Sequence, residues 1–168
     1  MAEGRTERTL VIGLGNPILG DDSVGWRVAE QVAGRVQDSA VEVDCLALGG
    51  LRLMERMIGY DRVILIDAIV TGVSEPGHVS RFPLEALPND WSGHSASSHD
   101  VTLRAALEVG RAMGARLPEQ VVVVAVEAGG SLDFAEDLSP AVAAAVPRAV
   151  EQVLAAIRAH RPSNAGAG

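Results

Sequence analysis

No lysine occurs among the 168 residues: the 14 basic side chains are all arginines, set against 22 acids for a formal net charge of −8. No basic cluster is present, and the sequence pI near 4.9 argues against a nucleic-acid partner, whose phosphates call for a basic patch. A single cysteine excludes an internal disulfide and a four-cysteine zinc site. That residue, Cys45, lies in the apolar run VEVDCLAL and reads as a small core side chain. Aromatics make up only 3%, so the core has to be built from Val, Leu, Ile and Ala, as buried parallel strands are. No apolar run approaches the ~18 residues of a membrane span, and the opening MAEGRTERT holds no apolar signal region. The expectation is a soluble, cytoplasmic protein with no membrane insertion.

What is present is an ample apolar content, 48% of residues. A chain of this length makes one domain, taken as residues 1–162 with a flexible tail at 163–168. Four nearly continuous, β-branched runs predict buried strands: TLVIGL (9–14), VEVDCLAL (41–48), RVILIDAI (62–69) and QVVVVAVE (120–127). The shorter, alternating GHVSRF (77–82) predicts an edge or antiparallel strand. Between them lie helical patterns. The first follows Asp22, with Val28, Val32 and Val36 inward; a second covers about 51–58, with Leu51, Met54 and Ile58 inward. A third covers about 101–113, with Leu103, Leu107 and Gly110 inward. From Ser139 onward Pro147 predicts a break, giving two helices that each begin at a proline. Strand–helix alternation implies a three-layer α/β sandwich, in which ligands bind beyond the carboxyl ends of the strands.

That rule selects three segments. Asn16, Gly20, Asp21 and Asp22 follow the first strand, Asp67 ends VILI in the third, and His94, His99 and Asp100 precede the third helix. One Asp of the adjacent pair is accounted for as a helix cap; two are not, because only one can cap. Asp67 follows four aliphatic residues, where a carboxylate must be hydrogen-bonded, paired or metal-bound. His99 beside a capping Asp100 is an ordinary helix start when taken alone. Taken together, Asp22, Asp67 and His99 are two carboxylates and an imidazole that one cleft can collect, the donor set of an open site for a borderline divalent ion. Other chemistries lack their motifs. GLGNPILG is not the dinucleotide GxGxxG, and neither GxSxG nor HExxH occurs.

In order, GLGNPILGDDSVGWRVAE, DCLALGGLRLMERM, DRVILIDAIVTG and SSHDVTLRAAL resemble the blocks of the hydrogenase maturation endopeptidases, across about residues 9–127. A weaker echo follows in LSPAVAAAVPRAVEQVL. The resemblance implies a phosphorylase/hydrolase-like α/β/α sandwich whose sheet has five strands, one of them antiparallel. It implies a protease that trims the C-terminal extension of a [NiFe]-hydrogenase large-subunit precursor after nickel insertion. Carried across residue by residue, the nickel contacts are Asp22, Asp67 and His99, with nickel contributed by the client and another divalent ion able to substitute. Asn16, Asp21 and Asp100 are then supporting, with Asp21 free to cap the helix or hold the loop. Gly49 and Gly50 are either a plain turn or a place where substrate backbone approaches closely. The segment 83–99 is expected to be a surface loop bordering the cleft, with Trp91 as a client contact or a local anchor. The chain departs from the family at VEAGGSLDF, where Glu127 is kept without the proline that often follows, and this bears on which client is accepted. The family has no recognised serine, cysteine or paired-aspartate nucleophile, so either the ligands read the client's nickel or a bound metal activates water. LVIGLGNP also resembles the start of peptidyl-tRNA hydrolases, but DDSVG stands where that family has its catalytic histidine segment. A non-catalytic metal-binding module is the remaining alternative.

Overall fold

A computed structural model describes residues 5–87, 102–130 and 134–159. Five strands, β1 (Thr9–Leu14), β2 (Val41–Leu46), β3 (Arg62–Ile69), β4 (Val79–Pro83) and β5 (Gln120–Glu127), form one sheet in the order β2-β1-β3-β5-β4. All neighbours are parallel except β4, which lies antiparallel on β5 at the sheet edge. The alternating GHVSRF segment is therefore both an edge strand and the antiparallel one.

Side-chain alternation along the strands divides the core in two. Val11, Ile64, Ile66, Val124 and Val126 face α1 (Val24–Ala33) and α4 (Pro140–Arg158). Leu10, Ile12, Leu65 and Val123 face α2 (Gly50–Met57) and α3 (Leu103–Ala112). The central strands are buried along nearly their whole length, which is why they read as unbroken aliphatic runs. The chain leaves β1 through α1 to β2 on one side, then crosses by α2 to β3 on the other. The crevice where such a sheet reverses direction therefore lies between β1 and β3, at their carboxyl ends.

Glycine fixes how closely α1 meets that crevice. A Cβ on Gly25 would stand 2.2 Å from the carbonyl oxygen of Leu14 and 2.5 Å from that of Ile66. A Cβ on Gly13 would stand 2.3 Å from the oxygen of Gly25. Helix and sheet thus touch backbone to backbone. Gly15 has φ +138°, and a Cβ there would meet the Asp22 oxygen at 1.9 Å.

Several expectations change. In α2 the buried residues are Leu53, Met54 and Met57, whereas Leu51 and Ile58 are exposed. Two apolar stripes share Met54, and packing against α3 selects one: at Gly110 a Cβ would lie 3.0 Å from the Met54 sulfur, so the glycine admits that side chain. Val36 lies past the end of α1, though it still packs, partly buried, against the core. Pro147 does not divide the C-terminal stretch, because α4 runs unbroken through it. Pro147 and Ala143, whose carbonyl loses its i+4 donor, both lie on the exposed face, where solvent can serve that oxygen. The opposite face buries Val142, Val146, Ala149, Val150 and Val153 against the sheet. By length and composition α4 is apolar enough to cross a membrane, contrary to the reading of runs alone, but here its apolar face is core. The segment 83–99 does not begin as a loop at the cleft. Pro83 ends β4, Leu84–Ala86 is a 3-10 turn, and Leu84 and Leu87 are buried while Arg104 donates to both their carbonyls.

Gly25→Ala is expected to lower the thermal midpoint by at least about 5 °C, since overpacking costs ~1–3 kcal/mol or more and each kcal/mol moves the midpoint of a chain this size by ~2–4 °C. Gly34→Ala is the control: its Cβ would meet its nearest atom, an oxygen of Gln31, at an ordinary 3.6 Å. Circular dichroism melts with equal midpoints for Gly25→Ala and Gly34→Ala would contradict the backbone contact.

Candidate functional site

β1 pairs with β3 only as far as Gly13 opposite Ile66, then the chain turns away. Asp67 is the next residue of β3. It is matched by Ala125 of β5 on one side and borders the opening left by β1 on the other. It lies between Leu65 and Ile69 on the α2/α3 face and is 1% exposed. The strand continues two residues beyond it, so Asp67 sits inside the sheet's end and not on its lip.

The two adjacent aspartates belong to a 3-10 turn, Gly20–Ser23, that packs against β3 and leads into α1. Neither caps α1: its N-cap is Ser23, which makes no side-chain cap bond. Asp22 is 6% exposed, and its Oδ2 accepts the backbone N–H of Asn16 at 2.9 Å, which draws the carboxylate back over the end of β1. Asn16 is itself set by its side chain, whose Oδ1 accepts the Ile18 N–H at 3.1 Å. Asp21 turns the other way. Its Oδ1 accepts the N–H of Ser139 at 2.7 Å and its Oδ2 accepts the Ser139 hydroxyl at 2.9 Å, so it ties the turn to the N-cap of α4. Of the two roles open to Asp21, holding the loop is the one observed.

Asp22 thus sits over the end of β1 and Asp67 in the end of the neighbouring β3, while Asp21 has a structural duty. His94, His99, Asp100 and Trp91 lie outside the described residues. The chain resumes at Thr102, whose side chain accepts the Ala105 N–H and caps α3, so the cap expected at Asp100 is supplied two residues later. The far end of α3 leads by Arg116 and Glu119, bonded to Gly59 and Asp61, into the amino ends of β3 and β5; Thr102 therefore stands on the carboxyl side, as Asp67 does. Among the described residues no group of three or more His, Cys, Asp or Glu side chains is gathered as for a metal. Gly50 is buried with φ +53° at the start of α2, and Gly49 is its extended N-cap; the left-handed turn accounts for the glycine at 50.

One buried acid was not singled out as a site residue from the sequence. Glu127, 3% exposed at the end of β5, accepts the N–H of Thr71 at 2.7 Å, that of Gly72 at 3.0 Å, and the Thr71 hydroxyl at 2.9 and 3.0 Å. Its signature in the sequence, an acid ending a valine-rich strand, is the same as that of Asp67.

Comparison with known proteins follows this geometry. The family described as hydrogenase maturation protease matches residues 26–156. The chain is 33% identical over 152 residues to the hydrogenase 2 maturation protease of Escherichia coli, covering 90% of this chain and 91% of that protein. It is 27% identical over 153 residues to the hydrogenase expression/formation protein HupD of Rhizobium leguminosarum, covering 90% and 74%. The solved structure of the E. coli hydrogenase maturating endopeptidase HybD superposes with a TM-score of 0.74 at 33% identity, covering 90% of this chain and 93% of that one.

The single thiol is placed for packing. Cys45 is half-buried on β2 with its sulfur 4.0 Å from the Trp26 carbonyl, and burial, reinforced by Glu30 and Asp44, pushes its pKa up to about 11. The thiolate is then scarce at neutral pH. Alkylation of the native protein by iodoacetamide at pH 8 is expected to be roughly a hundredfold slower than that of a free cysteine and to reach the free rate in denaturant. Rapid native labelling would reopen a thiol chemistry.

Proposed function

Because the chain belongs to the hydrogenase maturation protease family, and with it to the peptide-bond hydrolases, we propose that it removes the C-terminal extension of a [NiFe]-hydrogenase large-subunit precursor once nickel is in place. In this reading Asp22, Asp67 and His99 recognise nickel held by the client. The ion belongs to the substrate, and the three side chains report that insertion is complete. The proposed compartment is the cytoplasm.

The observation that carries the proposal is the pair of buried carboxylates at the switch point of the sheet, Asp67 at 1% and Asp22 at 6% exposure. Both acids stand where the open sheet offers a ligand-binding crevice, beyond the carboxyl ends of β1 and β3. Carboxylate oxygens, joined by an imidazole, suit a borderline divalent ion such as nickel. Asp21, engaged with Ser139, is left out of the ligand set and keeps the turn in place. The family's remaining requirement, a histidine, is met in sequence by His99, three residues before the cap of α3.

The test is incubation of the purified protein with nickel-loaded precursor, followed by mass spectrometry. A precursor shortened by its extension supports the protease; association with no mass change would leave a binding module. Asp22→Asn and Asp67→Asn each delete a charge at nearly constant shape, and processing is expected to fall by roughly a hundredfold or more. Thermal midpoints should hold, because the amide introduced by Asp22→Asn keeps an oxygen for the Asn16 N–H. Asp21→Asn should process normally and lose only about 1 kcal/mol, since one of its two bonds to Ser139 survives. Loss of processing in Asp21→Asn but not in Asp22→Asn would reverse the assignment within the pair.

A further inference from the structure

Among the described residues eight large hydrophobic side chains are exposed; Leu51, Ile58, Val109 and Met113 lie on or beside α2 and α3, and the other four lie on one rim. Val70 and Val73, 62% and 89% exposed, stand on the loop after β3, and Ile18 and Phe134, 52% and 84% exposed, stand on the segments after β1 and β5. All four lie at the carboxyl ends of the strands, on the side of the sheet that carries Asp22 and Asp67. Single exposed apolar side chains are ordinary; four on one rim are not. Ile18 and Phe134 share a small platform, because the Ala135 N–H donates to the Ile18 carbonyl at 3.2 Å and the Gly20 N–H donates to the Ala135 carbonyl at 2.7 Å. Two of these three segments carry no charge: residues 13–20 and 68–74 hold no ionisable side chain, whereas Asp133, Glu136 and Asp137 flank Phe134 in the sequence.

The loop that carries Val70 and Val73 is built to stay where it is. The buried Glu127 carboxylate takes the N–H groups of Thr71 and Gly72 and the Thr71 hydroxyl. The Thr71 Oγ1 in turn accepts the Val73 N–H at 3.1 Å. A carboxylate below the surface needs such donors, and a loop that supplies them loses its freedom. Gly130 passes beside Val70 on the other side, where an added Cβ would sit 3.5 Å from the Val70 Cγ1. A loop held open with its valines in water carries no ordering cost when something apolar arrives.

We infer that this apolar ledge, Val70 and Val73 held by Glu127 with Ile18 and Phe134 across the rim, is the docking surface for the precursor's polypeptide beside the bond to be cut, and that the docked segment is apolar. The inference rests on the proposed protease reading and names its client contact. Val70 lies three residues beyond Asp67 and Ile18 four before Asp22, so a chain bound at those carboxylates passes over the ledge. Glu127 is a positioning residue in this scheme: it acts through the loop and touches no substrate.

The experiment compares wild type, the double variant Val70→Ser/Val73→Ser, and Thr71→Val, using nickel-loaded precursor with its extension. Binding is read by biolayer interferometry and cleavage by mass spectrometry. Both valines are exposed, so the serines leave the core intact and the thermal midpoint unchanged. The double variant should raise Kd and KM by roughly tenfold while kcat at saturation stays within about twofold, as expected for an interface anchor. Thr71→Val keeps the side-chain shape but removes the hydroxyl that links Glu127 to Val73. Amide exchange at Gly72 and Val73 should quicken, and Kd should weaken in the same direction. Kd and KM within about twofold of wild type in both variants would overturn the ledge, as would a fall in kcat alone. Wild-type protein that binds precursor without cutting it would overturn the protease reading, while the Kd comparison would still decide the ledge. Wild-type protein that neither binds nor cuts would overturn both.

Discussion

Everything at the carboxyl edge depends on how near α1 comes to β1 and β3. With the side chain of any other residue at Gly13 or Gly25 the helix would have to stand off, because the atoms met are backbone oxygens that have nowhere to go. The 3-10 turn before the helix would move with it, and the Asp22 carboxylate would leave the end of β1. Three glycines, at 13, 15 and 25, are thus as much a part of the acidic crevice as the acids are. They set a distance, and the carboxylates use it.

The adjacent aspartates show how a repulsive-looking sequence becomes economical. Consecutive residues of a 3-10 turn point in different directions, so one carboxylate serves the crevice and its neighbour serves the tertiary structure. Asp22 is met by a backbone N–H six residues earlier in the chain, and Asp21 by Ser139 far along it. The long-range bond anchors the turn from outside while the local one aims its inner acid. Their opposed directions keep the two charges from sharing one environment.

Three of the aliphatic runs were legible as buried parallel strands and the alternating segment as an edge strand, but VEVDCLAL, expected buried, is the opposite edge strand β2 and only partly buried. Asp67 was legible as an acid at the close of a buried run. Glu127 carries the same signature, but nothing local says that its partners lie in a loop more than fifty residues earlier. In α2 two apolar stripes overlapped at Met54, and only the contact with Gly110 of α3 decides between them. Pro147 misled because the cost of proline in a helix is a local rule. Here its missing donor falls on the wet face, while the dry face holds the helix together. The split of duties between Asp21 and Asp22 could not be read from two identical neighbours, since it depends on residue 139.

The bond between Asp21 and Ser139 also has a meaning in time. Its partners are 118 residues apart, so it closes one of the longest loops the chain can make. On a ribosome adding ~5–20 residues per second, the serine follows the aspartate by roughly ten seconds. During that interval β1, β2 and β3 can already be paired, yet the turn carrying the acids has no outer anchor. Contacts of such separation form late in folding, because loop closure is opposed by entropy until neighbouring structure has drawn the ends together. The crevice is therefore among the last parts of the molecule to take shape, and a nascent or truncated chain that has its sheet but not its final helix holds the carboxylates without their alignment.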